Sequence, residues 1–434
     1  MGGLGAAMGA PVEAQASGMA LREFGANGLG TAYAGATAAA DDVTFMAFNP
    51  AGITRQRGEN LSANMTLILP KAEFSLQSST TQAGGTIGGG NGGSNIGKEV
   101  YVPAFFYSRE ITPDLFAGIS LTVPFGLATN YETDWAGRYH ALETDIKVYN
   151  LNPVAAYRVN PQLSVAAGVQ LVYARGVLSN AVDFGTIAAG FGGIATQEDG
   201  IATSEGDDVA LGYNFGILYQ IRPNTRIGAA YRSKLHTGLK GGAEFNNSPR
   251  GALVAGVTGQ FVRSEVESEV NFPETASFGI HHQVNPRFAI MAEAAWTAWS
   301  RIEEFRIDFA NAAQSDSVIA SNWDDTWFVA IGATYQVNDK WNLRGGLAYD
   351  QSPVPAETRT PRVPDEDRTW FSIGARYAIS SSSFVDIGYT HLFFDKATTQ
   401  LSTAADTNNQ FRGNLSGSFD TSVDVLSAQV RVNF

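Results

Sequence analysis

The chain has 434 residues, a formal net charge of −13 and 16% charged side chains, against roughly a quarter in soluble domains. The acidic balance argues against a nucleic-acid partner, because no basic patch is large enough to neutralise many phosphates, and no apolar run approaches the roughly 18 residues of a membrane-spanning helix. With no cysteine there are no disulfides, thiolate metal sites or cysteine nucleophiles.

In chain order, residues 1–16 come first. Ala14-Gln15-Ala16 fits the small-residue cleavage pattern of an export signal, but the segment has no Lys, Arg or apolar core. It reads as the tail of an export signal whose start lies upstream, as a misassigned start, or as a disordered Ala/Gly terminus. Residues 17–48 contain no good strand and many small residues, with scattered anchors at Met19, Leu21, Phe24, Leu29, Tyr33, Phe45 and Phe48.

From 59 to 434 the pattern changes to strict alternation. Met65, Leu67 and Leu69 share one face of the first strand. Between Val209 and Ile221 every odd position is apolar or aromatic, while the even positions are mostly small or polar. The stretches Trp327 to Val337 and Leu426 to Phe434 repeat this. A period of 2 predicts strands with one oily face.

Two kinds of connection alternate between the strands. Short ones lie at Thr112-Pro113-Asp114, Asn160-Pro161-Gln162, Arg222-Pro223-Asn224, Asn285-Pro286-Arg287, Asn338-Asp339-Lys340 and Ser380 to Ser383. Long polar ones lie near 76–97, 127–144, 179–207, 246–264, 309–322, 351–366 and 398–417. Six short turns and seven long loops separate fourteen strands. An even strand count with short turns at one end and long loops at the other predicts an all-β, 14-stranded antiparallel transmembrane β-barrel of a bacterial outer membrane. Trp296, Trp299, Trp327, Tyr335, Trp341 and Tyr377 suit its interfacial girdles. Such a barrel is wide enough for a solute path unless something fills it. Residues 17–58, which precede the first strand, are predicted to fold inward as an N-terminal plug.

Catalytic chemistry finds no support. Gly88-x-Gly90-x-x-Gly93 lies in a flexible loop tip rather than between a strand and a helix. Adjacent His281 and His282 face opposite sides of a strand, and His140, His236 and His391 are too scattered for a Ser-His site. No catalytic residue, metal site or cofactor is assigned. Asp324-Asp325 reads as solvated charge. Parity puts Arg344, Ala348 and Asp350 on the lumen face of one strand, with Arg368, Ser372 and Arg376 on that of the next. Asp350 and Arg368 should therefore meet, where the cation either holds an anionic head group or pairs with the carboxylate.

Four stretches carry a family resemblance: "YDQSPVPAETRTPRVPDEDRTWFSIGARYAI" (Tyr349 to Ile379), "LREFGANGLGTAYAGATAAADD" (Leu21 to Asp42), Asn49-Pro50-Ala51 and "FGLAT" (Phe125 to Thr129). The chain resembles the FadL family of outer-membrane long-chain fatty-acid transporters over nearly everything after residue 16. The resemblance implies passive, ligand-gated uptake with lateral exit through a gap in the wall. It makes 17–58 a hatch whose Asn49, Pro50 and Ala51 contact an inward kink of the third strand at Pro124, Phe125 and Gly126. It places Met19 in the ligand pocket, with binding there shifting the segment from Met19 through Leu21 to Phe24. It puts one ligand-binding cation at Arg306 and a second at a position that here is Asn180. Ile187, Phe191 and Ile194, with Leu253, Val254, Val257 and Phe261, are expected to form an outer capture groove.

The implied partners are a hydrophobic small molecule (fatty acid or hydrocarbon), outer-membrane lipid and lipopolysaccharide, and the barrel-assembly machinery through the C-terminal Phe434. Uptake of aromatic hydrocarbons, a general porin and an adhesin are the alternative readings.

Overall fold

The structure, a computed structural model, describes residues 17–434 apart from the Phe191 side chain. The export-signal reading of 1–16 and any contact of the Phe191 ring lie outside the described residues.

Fourteen antiparallel strands close into a ring. They are β1 (Glu59–Thr80), β2 (Val100–Glu110), β3 (Leu115–Asn130), β4 (Glu143–Arg158), β5 (Leu163–Val182), β6 (Gly200–Arg222), β7 (Thr225–Arg232 and Leu235–Asn246) and β8 (Ser264–Phe272 and Thr275–Asn285). There follow β9 (Phe288–Thr297 and Glu304–Phe309), β10 (Ser317–Ala320 and Thr326–Gln336), β11 (Trp341–Asp350), β12 (Arg368–Ala378), β13 (Ser383–Phe394 and Ala397–Leu401) and β14 (Asn414–Asn433). β1 pairs with both β2 and β14, which closes the barrel. Most strands extend beyond their predicted ends, so most loops are shorter than expected; β1 runs to Thr80 and β6 starts at Gly200, while loop 351–367 keeps nearly its predicted bounds.

Alternation becomes a two-sided wall. All seven odd residues from Val209 to Ile221 face outward, from Tyr219 at 39% exposed to Leu211 at 68%, while Ala210, Asn214 and Leu218 are buried. Oily side chains facing lipid and backbone groups paired between strands are what a spanning sheet requires. Five of the short turns share one device. The side-chain oxygen of Thr112, Asn160, Asn285, Asn338 or Ser380 accepts from the N–H groups two and three residues on, the local bond that makes these residues turn formers. At the seam, the Phe434 N–H donates to the Glu59 oxygen at 2.8 Å.

Residues 17–58 pack against the inner wall. They form short turns of helix at Ala26–Leu29, Val43–Ala47 and Pro50–Arg55. A belt of lumen-facing glycines lets their backbone approach. A Cβ on Gly228 would sit 2.0 Å from the Thr37 oxygen, one on Gly346 2.1 Å from the Thr31 oxygen, and one on Gly374 2.8 Å from the Gly30 Cα. Gly228 pairs with Gly279, Gly332 with Gly346 and Gly374 with Gly388, so the small positions lie side by side across neighbouring strands. Charge completes the fit. Asp42, with its side chain fully buried, accepts from Arg376 Nη2 at 2.8 Å, Gln429 Nε2 at 3.0 Å and Arg431 Nη1 at 3.3 Å.

Candidate functional site

The ladder between β2 and β3 runs from Glu110/Phe116 to Phe105/Leu121 and stops there. Above that point β2 keeps only its bonds to β1, which continue to Ile68/Val100. On its other side β3 holds one extra residue, since Thr122 pairs with Asn150 but Phe125 with Val148. Such a bulge bends a strand and ends its pairing, and Pro124 has no N–H to give the ladder. From Thr122 to Thr129 every position is buried, where a regular wall strand would alternate.

The N-terminal segment occupies the edge thus freed. Leu21 N–H donates to the Pro124 oxygen and Gly126 N–H to the Met19 oxygen, both at 2.8 Å. Further up, Asn130 N–H donates to the Ile96 oxygen at 3.0 Å, re-closing the wall. The result is a bounded interruption between β2 and β3, lined on the lumen side by Met19 to Leu21.

Beside it, a cavity of about 100 Å³ is bordered by Leu21, Phe24, Phe48, Phe125, Trp299 and Trp370, with Arg22, Arg232 and Asp350 as its charged groups. Arg232 is held by Gln170 Oε1 and, at 2.7 Å, the Ala47 oxygen. The Phe125 ring packs on Phe272 at 4.9 Å and edge-on to Trp299 at 6.0 Å, and Trp299 meets Trp323 at 5.2 Å. The Arg22 guanidinium lies over the Phe328 ring at 4.1 Å and has no hydrogen-bond or ion-pair acceptor among the described residues. Loop 351–367 reaches down to the same place, where Asp365 Oδ2 accepts from Gly18 N–H at 2.9 Å and from the Ser352 hydroxyl at 2.7 Å.

Several sequence expectations change here. Asn49, Pro50 and Ala51 do not bond the kink. Asn49 Nδ2 donates to the oxygens of Thr37 and, on β6, Ile217, while its Oδ1 caps the turn at Ala51 N–H. The motif is displaced because Gly216 on β6 offers the close approach it needs. Arg306 is 42% exposed and held by Glu304 at 2.8 Å and Asp316 at 3.1 Å, away from the cavity. Asp350 and Arg368 do meet, at 3.0 Å, and Asp365 flanks Arg368 at 3.1 Å, so that guanidinium is matched by two carboxylates. Trp299, assigned to a girdle, is 1% exposed inside the barrel, because β9 breaks at that point and turns the ring inward. Trp327 and Trp341 do face outward.

Sequence reasoning missed Arg22, Asp42, Asp365 and the lumen role of Trp299. Arg22 lay between the named anchors Leu21 and Phe24, and a cation in that apolar stretch, with only Glu23 beside it, was its signal.

The outer loops hold an unforeseen helix, Pro249–Thr258, with Ser248 capping Gly251 N–H and Gly259 at a positive φ closing it. Leu253 and Val257 project outward at 68% and 78% exposure, as does Ile194 at 61%. Val254 instead packs on Phe184, with Ile187 and Phe261 half-buried beside it.

Comparisons with known proteins agree with this geometry. The family described as "Outer membrane protein transport protein (OMPP1/FadL/TodX)" matches residues 7–434. The long-chain fatty acid transport protein of Escherichia coli K12 is 31% identical over 407 residues, covering 88% of each chain. Among solved structures, a FadL homologue of Pseudomonas aeruginosa superposes with a TM-score of 0.89 at 23% identity, covering 96% of this chain and 100% of that one. The toluene transporter TbuX of Ralstonia pickettii gives 0.68 at 21% identity, covering 95% and 98%. At those identities the two structures establish a shared fold.

Proposed function

Because the chain belongs to the OMPP1/FadL/TodX family of outer membrane transport proteins, we propose that it takes up long-chain fatty acids by passive passage into the lumen and lateral exit between β2 and β3. The observation that carries this reading is the interrupted ladder, with an oily cavity directly behind it. Each buried CH₂ of an acyl chain supplies about 0.8 kcal/mol, so transfer from the outer loops to the cavity needs no energy-coupling group. Residues 17–58 act as the hatch. Met19, Leu21 and Phe24 sense the ligand, and their movement uncovers the gap at Pro124, Phe125 and Gly126. Asn49, Pro50 and Ala51 anchor the hatch to β6 rather than forming the gate itself. Arg22 serves as the inner cation for a carboxylate, in place of Arg306 and Arg368, which are already paired.

A hydrocarbon substrate is the second reading, since the toluene transporter shares the fold. The cation in the cavity favours the acid, because Arg22 already lies over the Phe328 ring and a charge-assisted bond to a carboxylate is worth more than a second ring face. The exposed Phe434, at 74%, suits recognition by the barrel-assembly machinery, and the outward apolar band suits lipid and lipopolysaccharide.

A Gly126→Arg variant fills the gap. It is expected to abolish uptake of labelled oleate while leaving oleate binding and heat-modifiable folding intact. Unchanged uptake in a folded variant would count against lateral exit. Direct binding of oleate against toluene, with Arg22→Gln in parallel, separates the two substrates, since only oleate affinity should fall, by about tenfold for a lost charge-assisted bond.

A further inference from the structure

Loop 351–367 carries two arginines in opposite surroundings. Arg359 meets Glu366 at 2.7 Å. Arg362, 6% exposed, has no carboxylate at ion-pair distance among the described residues. Its Nη1 donates to the Glu143 oxygen at 2.9 Å and Thr144 Oγ1 at 3.2 Å, its Nη2 to the Ser179 oxygen at 2.9 Å, and its Nε has no partner. Arg412 is similarly placed, with Nη1 donating to the Val318 oxygen at 2.8 Å and Nη2 to Ser317 Oγ at 3.0 Å. His140, 6% exposed, leaves Nε2 without a partner.

These three side chains border one chamber of about 300 Å³ at the outer mouth. Glu357 and Asp406 stand on its rim, and neither pairs with either arginine. Burial, and then the charge of Arg412, pushes the Arg362 guanidinium down to about 9; burial, then Arg412, holds the His140 ring at about 3, so it is neutral. Arg412 is half-buried and feels Asp406 only at longer range. Arg362, by contrast, is withdrawn from water with Arg412 beside it and no carboxylate at ion-pair distance among the described residues. A buried cation so placed is costly, and a bound anion would relieve that cost.

The chamber also has an oily extension. Arg362 borders a narrow slot of about 20 Å³ formed with Leu127, Ile146, Phe305, Trp323 and Val363. Ile319, Thr358 and Thr360 are common to slot and chamber. Trp323 touches Trp299, which borders the inner cavity.

We propose that Arg362 and Arg412, beside the neutral His140, form an anion site at the outer mouth that takes the carboxylate of an acyl-chain ligand, whose tail lies along the slot toward Leu127 and Trp323. The inference rests on the uptake reading for the tail and adds a first, outer station for the head group. The apolar slot beside Arg362 favours a carboxylate over a lipopolysaccharide phosphate, which would bring its charge without a single free chain.

The test is equilibrium binding to the full chain in nanodiscs, using labelled oleate, methyl oleate and lipopolysaccharide as probes. Wild type is compared with Arg412→Gln, Arg362→Gln and the double variant; Arg412, with two protein acceptors, is the gentler change if Arg362→Gln fails to fold. The double variant, or Arg412→Gln alone, is expected to weaken oleate about tenfold, the size of one charge-assisted bond, and methyl oleate by less than about twofold. Unchanged oleate affinity overturns the site. Equal loss of oleate and methyl oleate makes the arginines loop braces, and loss confined to lipopolysaccharide makes the anion a phosphate; either result also overturns it. Wild type binding neither oleate nor methyl oleate would sink the uptake reading along with it, a result distinct from oleate binding that ignores the arginines.

Discussion

At Gly216 a single carbon decides whether Asn49 can seat. A Cβ there would lie 2.1 Å from Asn49 Oδ1 and 2.9 Å from Pro50 Cδ. Gly216→Val should therefore lift the Asn49 turn from β6 and appear as ion current across a planar bilayer where wild type is quiet. His140 offers a pH test. Its folded value of about 3 lies below the ordinary 6.5, so the neutral ring's stabilisation is fully present above pH 6.5 and is lost as the pH falls toward 3. Hydrogen exchange over residues 131–142 should accelerate through that window relative to a His140→Gln variant. The sequence made the Asp350/Arg368 meeting legible because a period of 2 fixes which face each residue takes and consecutive strands fix the register. It could not show that Asp365 would join them, nor that Asp316 would join Glu304 on Arg306, because Asp365 and Asp316 lie in irregular chain where no period operates.

At the scale of elements, the strands were readable for the same reason and their ends were not. Hairpins continue past the membrane, where polar residues on both faces erase the alternation. The bulge in β3 announced itself through Pro124 and Gly126, but the hydrogen bonds that replace the lost ladder come from Met19 and Leu21, about a hundred residues away. The outer helix could have been found from Ser248-Pro249 at one end and Gly259 at the other, a cap, a first-turn proline and a terminating glycine. Its outward Leu253 and Val257 give an element-level expectation. Serine at both should slow initial oleate uptake at limiting concentration by roughly tenfold, since two exposed side chains each forfeit about 1 kcal/mol or less of contact, while binding to the preloaded lumen stays unchanged.

At the scale of the whole molecule, a wall and a filling are held together by charge and by the absence of side chains. Asp42 is the chief electrostatic tie, reaching Arg376 and Arg431 on β12 and β14. Removing one partner of a buried pair costs about 3–5 kcal/mol, so Asp42→Asn should raise hydrogen exchange over residues 38–48 and make the segment a protease target from the periplasmic side. The bonds that Leu21 and Met19 make with Pro124 and Gly126 carry a different consequence. A hydrocarbon tail can offer nothing to an amide, and a bare amide within the bilayer costs several kcal/mol. The doorway therefore cannot swing for cargo alone: as the greasy molecule slips out, water must follow it in to clothe the jamb, and a protein that moves oil must be wetted at the instant it does so.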